Sequence, residues 1–275
     1  MSDRTFRFGV VASPRADGTG WQARARRVEN LGYSTLLTPD GTQLLSPWPA
    51  LALAAAATTT LRVGTFVLAS PLRPPRLAAW DAHSLGTLID GRLELGVGTG
   101  RPDVIRQAHE VIGMPPSTGA QRLAHAAQII DDLRELDGNR HTTVMVAASG
   151  PRARAMAAAK ADIVAVTRGP LATRDEIVEV TTELRELAGE RADDIELSMN
   201  LFVIGAEPTP WIERFLGVDA ATLIEHDSLS MLRGSTQQMA DELRRRRDDF
   251  GVSYVTVNEA FFEEFAPVVE VLAGT

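Results

Sequence analysis

A turn with the sequence Ala148-Ser149-Gly150-Pro151-Arg152 is the first place in this chain where residue type and order suggest chemistry. It follows an apolar run and leads into an alanine-rich segment that is typical of a helix. Free backbone amides at the start of a helix, together with the helix dipole, favour a phosphate or another anion. The residues alone leave a second interpretation open, in which Ser149 only caps the helix and Gly150 only forms the turn.

Side chains that could transfer protons are few. Asp40 and Glu259 are the carboxylates at predicted strand ends, and a lyase or hydrolase would depend on them as acid and base. The five histidines lie in predicted helices or in a short loop, where a packing or surface role is the ordinary interpretation. The sequence has no cysteine, its one lysine is Lys160 in a predicted helix, and no spacing of His, Asp and Glu indicates a metal site.

An alternation of strands and helices must position these residues. The clearest unit runs from Leu61 to Arg101, where an apolar β-branched run, an alanine- and leucine-rich helix and a second apolar run follow one another. Such a unit predicts two parallel strands with a helical crossover. The same pattern predicts eight strands along the chain, at residues 6–11, 33–38, 61–68, 93–97, 144–147, 163–166, 195–204 and 254–257.

Eight such units predict an α/β fold, a (β/α)8 TIM barrel that occupies residues 1–275 as a single domain. An open doubly wound sheet is the alternative. Against it, Gly96-x-Gly98-x-Gly100 follows the fourth strand and Arg101 comes next, so the dinucleotide fingerprint is not met. The barrel places these residues at the strand ends, where active sites of such barrels lie: Ser13, Asp40, Ala69, Ser70, Thr99, Arg101, Ser149, Gly150, Thr167, Arg168, Asn258 and Glu259.

Two predictions concern the C-terminal third. The segment from Ala220 to Leu232 has helical content, and Ser235 and Gln238 have the capping-box spacing for a helix from Gln237 to Phe250. Four consecutive arginines within that helix, residues 244–247, could form an anion site near the last strand, but such a run is more often a solvated face, here paired with the two following aspartates.

Composition narrows the possible partners and the compartment. The chain has 36 acidic and 28 basic residues, a formal net charge of -8, and no run of five basic residues, which argues against nucleic acid as a partner. Residues 1–4 contain no apolar segment of a secretion signal, and the sequence has no apolar stretch of 18 residues. We therefore expect a soluble cytoplasmic protein that acts on a small molecule rather than on nucleic acid or a membrane.

Several segments match the sequence pattern of a known family. Residues 63–68 read VGTFVL, residues 90–98 read DGRLELGVG, and the segments at 29–40, 145–164 and 232–257 follow the same family pattern more loosely. In this wording the chain resembles the luciferase-like monooxygenase superfamily, in particular its branch that uses the deazaflavin coenzyme F420. The similar segments are spread over about three quarters of the chain.

The resemblance implies an oxidoreductase. It would transfer a hydride between coenzyme F420, or FMN as the alternative, and a small organic substrate, and it would form a homodimer. The family has a strand-three bulge with a non-prolyl cis peptide, which by position joins Phe66 and Val67. The implied site residues are Asp40 as a catalytic residue and, for cofactor binding, Asp40, Phe66, Val67, Gly98, Thr99, Ala148, Ser149 and Gly150.

The chain also departs from the family pattern. Gly41 stands where the family usually has a histidine after the strand-two aspartate, and Ala148 and Ser149 replace glycines of the turn that contacts phosphate. The long segment before strand five is reduced to residues 137–141. These departures motivate the alternative, a degenerate barrel of this family that binds a ligand or partner, or catalyses a non-redox step, without flavin.

Overall fold

The computed structural model describes residues 4–15, 17–166, 168–205 and 210–275, and its strands form a closed parallel barrel. The main sheet has the order β3-β2-β1-β11-β8-β7-β6-β5-β4, and a further pairing of β3 with β5 closes it. Because β3 and β4 are two parts of one interrupted strand, the barrel has eight strand positions, and the predicted (β/α)8 fold is confirmed. The strands are β1 (Arg7–Val11), β2 (Thr35–Thr38), β3 (Arg62–Thr65), β4 (Leu68–Ala69), β5 (Leu93–Gly98), β6 (Thr143–Ala148), β7 (Ile163–Val166), β8 (Glu196–Leu201), β9 (Val203–Ile204), β10 (Met231–Leu232) and β11 (Val252–Asn258).

Helices alternate with the strands around the outside of the barrel. Side chains cap several of them, and the predicted capping box of Ser235 and Gln238 is confirmed. No helix in the described ranges has the length and apolar character needed to cross a bilayer. The helices are α1 (Gly18–Asn30), α2 (Pro47–Ala56), α3 (Pro75–Leu88), α4 (Pro102–Glu110), α5 (Gly119–Asp137), α6 (Pro151–Lys160), α7 (Arg174–Ala188), α8 (Pro210–Leu216), α9 (Ala220–Glu225), α10 (Thr236–Phe250) and α11 (Phe262–Leu272).

The segment between α9 and α10 differs from its prediction. The helix predicted for residues 220–232 ends at Glu225, and Asp227 has a positive φ of 44°, which an L-residue in a helix does not adopt. Met231 and Leu232 instead pair in parallel with β9. The prediction was wrong here because the apolar residues of this stretch are buried through a strand partner that is distant in sequence.

The arginine run of α10 is also only partly solvated. Arg245 lies 3.7 Å from Asp249, one of the two expected partners, whereas Arg244 pairs with the preceding Asp241. Arg246 is buried and donates hydrogen bonds to the carbonyl oxygens of Leu229 and Met231, at 2.8 and 3.2 Å. The prediction of a solvated face is therefore wrong for Arg246, because the β10 segment covers that side of the helix.

Strand β5 shows how side chains divide between the two sides of the barrel wall. Leu93, Leu95 and Val97 are fully buried in the outer apolar layer between the sheet and the helices. The alternate residues Glu94 and Gly96 therefore face the barrel interior. A separate apolar cluster fills the middle of that interior, with Leu37, Met145, Ile163, Ala165 and Tyr254 as its buried members.

Charged side chains fill the amino end of the barrel below this cluster. Arg7 bonds to Glu94 at 2.8 Å and to Glu196 at 2.7 Å, and Arg62 bonds to Glu94 at 2.7 Å. The guanidinium of Arg7 also stacks 3.5 Å from the centre of the Tyr254 ring. We call Arg7, Arg62, Glu94 and Glu196 the floor network. Its two positive charges neutralise its two negative charges, and the Glu94 and Glu196 carboxylates are mostly shielded from water.

Candidate active site at the mouth of the barrel

A cavity of about 460 Å³ opens at the carboxyl ends of strands β1, β2, β3, β5, β8 and β11. We call it the mouth cavity. Its volume is within the usual range for small-molecule sites, and its wall is mostly apolar with a few polar groups. The lining residues are Val11, Ser13, Pro39, Asp40, Gln43, Leu44, Phe66, Arg101, Asp103, Val104, Asn200, Phe202, Phe215, Asn258 and Glu259.

Asp40 lies in the wall of this cavity with its carboxylate already bonded. One oxygen accepts from the backbone N–H of Ala69 at 3.0 Å, and both oxygens accept from the guanidinium of Arg73, at 2.7 and 3.1 Å. The carboxylate is 3% exposed. It therefore ties the end of β2 to the strand that follows the β3 interruption, and its catalytic and cofactor-binding roles stay predictions.

The Asp40→Asn protein should lose about 1.5–3 kcal/mol of unfolding free energy, because charged hydrogen bonds to Arg73 are replaced by neutral ones. Urea unfolding measures the change. Asp103→Asn is the matched control, since Asp103 lines the same cavity but pairs at 3.3 Å with Arg101, and both side chains are about half exposed. That control should change stability by less than about 1 kcal/mol. Equal losses of unfolding free energy in the two variants would contradict a stabilising role for the Asp40 hydrogen bonds.

The interruption between β3 and β4 forms the inner wall. The peptide bond between Phe66 and Val67 is cis, as predicted, and Phe66 lines the mouth cavity. Val67 packs behind it against Gly98, where an added Cβ would lie 2.5 Å from the Val67 Cγ2. An added Cβ on Gly96 would lie 2.0 Å from the carbonyl oxygen of Thr65. The absence of a side chain at these two glycines therefore lets β5 pack closely against the β3 interruption.

The other charges at the mouth are also paired. Glu259 forms an ion pair with Arg24 of α1 and accepts a 3.4 Å bond from the backbone N–H of Ser13. The Arg101 guanidinium lies 4.0 Å from the centre of the Phe215 ring, and Phe215 contacts Phe202 with ring centres 5.4 Å apart. An arginine and two aromatic rings therefore form the outer rim of the cavity.

Two amide side chains bring hydrogen-bond donors into the cavity. The Oδ1 of Asn258 accepts from the backbone N–H of Ala260 at 3.0 Å, which identifies that atom as the oxygen and leaves the Nδ2 group as a donor. Asn200 bonds through Oδ1 to the Thr256 hydroxyl at 2.8 Å. The sequence identified Asn258 by its strand end but not Asn200, which the two-residue period of β8 places on the inner face with Glu196.

The turn at residues 148–150 lies outside the lining of the mouth cavity. Ala148 is buried at the end of β6, Ser149 is exposed, and the N-cap of α6 is Gly150 without a side-chain cap. The interpretation of Ser149 as a cap is therefore wrong. Pro151 has no N–H, and the next amides of the first turn have no partner within the helix. An added Cβ on Gly150 would meet nothing within 4 Å, so this approach to the helix start is open.

The structure thus separates the predicted site residues into three groups. Asp40 and Phe66 line the mouth cavity together with Ser13, Arg101, Asn258 and Glu259. Val67 and Gly98 support its wall, and Thr99 is half-buried at the end of β5. Ala148, Ser149 and Gly150 form the separate turn before α6. Ser70 is buried and bonds to the Arg122 carbonyl, Arg168 is exposed, and Thr167 lies outside the described residues.

Comparison with known proteins identifies the class to which this fold and cavity belong. The profile of the luciferase-like monooxygenase family matches residues 6–210, and the chain belongs to this family. An uncharacterized protein of Mycobacterium tuberculosis is 30% identical over 146 residues, which are 44% of this chain and 50% of that protein. The chain therefore matches about half the length of such relatives.

Two further proteins that resemble this chain have a cofactor in their descriptions. An F420-dependent glucose-6-phosphate dehydrogenase of Nakamurella multipartita is 27% identical over 241 residues, 74% of this chain and 69% of that enzyme. The crystal structure of a riboflavin lyase with modified FMN and riboflavin has a TM-score of 0.76 and covers 98% of this chain and 92% of that one. At 14% identity, the second likeness shows the fold alone.

Proposed function

We propose that this chain is an oxidoreductase that transfers a hydride between coenzyme F420 and a small organic substrate, with FMN as the alternative cofactor. The observation that supports this most directly is the mouth cavity, which lies where barrel enzymes bind their ligands. The F420-dependent dehydrogenase among the relatives favours F420, and the FMN-containing lyase keeps FMN as the alternative.

The residues of the cavity fit a flat heteroaromatic ring. Val11, Phe66 and Phe202 provide apolar surface for its faces. The Nδ2 group of Asn258, which bonds to no acceptor in the described part of the chain, suits carbonyl oxygens at the polar edge of such a ring. The open start of α6 at Gly150 suits a phosphate, because the unpaired amides and the helix dipole attract negative charge.

The side chains of the protein would bind and orient the cofactor rather than carry out the redox step. The cofactor, when bound, supplies the centre that gives or accepts the hydride. Phe66 would exclude water from one side of the cavity, and the amide of Asn258 would fix the orientation of a bound ring. The bonds of Asp40 to Arg73 and Ala69 hold this wall in place.

A fluorescence titration of the apo protein with F420, and separately with FMN, tests the proposal. We expect micromolar binding of F420, and at least about tenfold weaker binding by the Ser149→Glu protein, because a carboxylate beside the α6 amides repels a phosphate. Ser46→Glu is the matched control. Ser46 is also exposed, directly precedes a helix that begins with proline, and is absent from the lining of the mouth cavity.

Each outcome has a definite meaning. Binding of FMN alone would move the assignment to a flavin-dependent oxidoreductase. Equal effects of Ser149→Glu and Ser46→Glu would remove the turn before α6 from the site. If a folded protein binds neither cofactor, the redox proposal fails and the degenerate barrel, motivated by Gly41 and the short 137–141 segment, becomes the function to pursue.

A further inference from the structure

A second cavity, of about 210 Å³, lies at the opposite end of the barrel from the mouth. It is formed near the amino ends of β1, β8 and β11, between helices α7 and α10. Arg4, Arg185 and Arg247 all contribute to its lining, and Leu184, Ile195 and Leu197 give it an apolar floor. We call it the arginine cavity. Its combination of cations and apolar surface resembles neither the mouth cavity nor the balanced floor network.

The three arginines bond to main-chain oxygens and not to aspartate or glutamate side chains. Arg4 donates to the carbonyl oxygen of Asp193 at 2.6 Å, Arg185 to that of Phe250 at 2.7 Å, and Arg247 to that of Thr275 at 2.9 Å. Within the described ranges, none of the three lies within 4.0 Å of an aspartate or glutamate carboxylate oxygen. A guanidinium has five N–H donors, so each retains donors and its full positive charge.

Oxygen atoms also border the arginine cavity, among them that of Thr275, the last residue of the sequence, which Arg247 binds. Asp193 and Asp248 are the carboxylates in its lining, and both are exposed at the rim. The Nε of Arg4 is buried and has no acceptor in the part of the chain that the structure describes. A buried donor of this kind calls for an acceptor oxygen.

Packing fixes two of the guanidinium groups before anything binds. Arg185 lies against Gly251, where an added Cβ would be 2.3 Å from its Nη2, and the φ of +80° at this position also favours glycine. Arg247 stacks on Phe6, with its guanidinium carbon 4.3 Å from the ring centre. Little side-chain entropy is then lost when these two groups bind a ligand.

We propose that the arginine cavity binds a phosphate monoester with a short apolar group. Three guanidinium groups match the three terminal oxygens of a phosphate better than the two of a carboxylate. The apolar group of this ligand lies on Leu184, Ile195 and Leu197, which form the apolar part of the cavity lining. The site is separate from the mouth cavity, so it does not depend on the proposed redox function.

Isothermal titration with hexyl phosphate tests this site, with inorganic phosphate and hexanol as partial ligands. We expect saturable binding of one hexyl phosphate, and binding of each partial ligand at least about tenfold weaker. The Arg185→Gln substitution should weaken the binding of hexyl phosphate about tenfold or more. Arg185 is exposed and bonded to one carbonyl, so the variant should fold. Arg4→Gln is a second variant in the same wall, with the same expectation.

Two controls separate this site from other anion sites. Arg244→Gln removes a cation from α10 that pairs with Asp241 outside the cavity, and it should leave the affinity unchanged. Ser149→Glu should also leave it unchanged, because the turn before α6 is not part of this cavity. Equal binding of hexanol, unchanged affinity in both Arg185→Gln and Arg4→Gln, or loss of binding in Ser149→Glu would each overturn the proposal.

Discussion

The Gly96→Ala protein is expected to lose at least about 3 kcal/mol of unfolding free energy, or to be recovered only unfolded. The new Cβ would lie 2.0 Å from the carbonyl oxygen of Thr65, which belongs to the backbone and cannot rotate away. Thr65 ends β3, and β3 pairs with β5 to close the barrel. Relieving the contact therefore moves the closing strands apart. Urea unfolding followed by circular dichroism measures the loss.

Two other glycines give a ranked comparison. An added Cβ on Gly98 meets the Val67 side chain at 2.5 Å, so Gly98→Ala should cost less than Gly96→Ala because a side chain can rearrange. An added Cβ on Gly169 meets nothing within 4 Å, and Gly169→Ala should leave stability nearly unchanged. A Gly96→Ala protein as stable as the Gly169→Ala protein would show that β3 and β5 are not packed in this way.

The Arg7→Met protein is expected to lose about 3–5 kcal/mol of unfolding free energy, which is the usual cost of removing one partner from a buried ionic group. Arg7 bonds to Glu94 at 2.8 Å and to Glu196 at 2.7 Å, and these carboxylates are only 1% and 12% exposed. Methionine fills much of the same space, but the negative charges of Glu94 and Glu196 are then balanced by the single positive charge of Arg62. Chemical denaturation at neutral pH gives the change in unfolding free energy.

Arg27→Met is the matched control for this loss of charge. Arg27 forms a two-point ion pair with Glu263, but both side chains are about half exposed to water. Solvent replaces such a pair at little cost, so the denaturation midpoint should stay where it is. Similar shifts in the Arg7 and Arg27 variants would mean that the floor network is solvated and contributes no more than a surface pair.

The barrel could be predicted because its strands carry a strong local pattern. In β5, the alternation of Leu93, Leu95 and Val97 marks the face that packs on helices, and strands such as β6 and β7 are short apolar runs. The short elements could not be predicted in this way. β10 exists because β9 supplies its hydrogen bonds, and a two-residue strand has no period of its own.

The candidate site shows a similar division. The strand-end rule identified Asp40 and Glu259 but not their partners, because Arg73 and Arg24 are 33 and 235 residues away in the sequence. Phe215 was missed because it belongs to α8, which the sequence pattern did not indicate. The roles of these residues toward a cofactor, and the homodimer, stay predictions.

The floor network has a consequence for the order in which molecules exchange. Because its four charged side chains fill one end of the barrel, a molecule bound in the interior arrives and departs through the mouth. When two molecules share that passage, the deeper one must arrive first and depart last. An outer molecule near Phe202 and Phe215 would then determine how long the inner one stays bound.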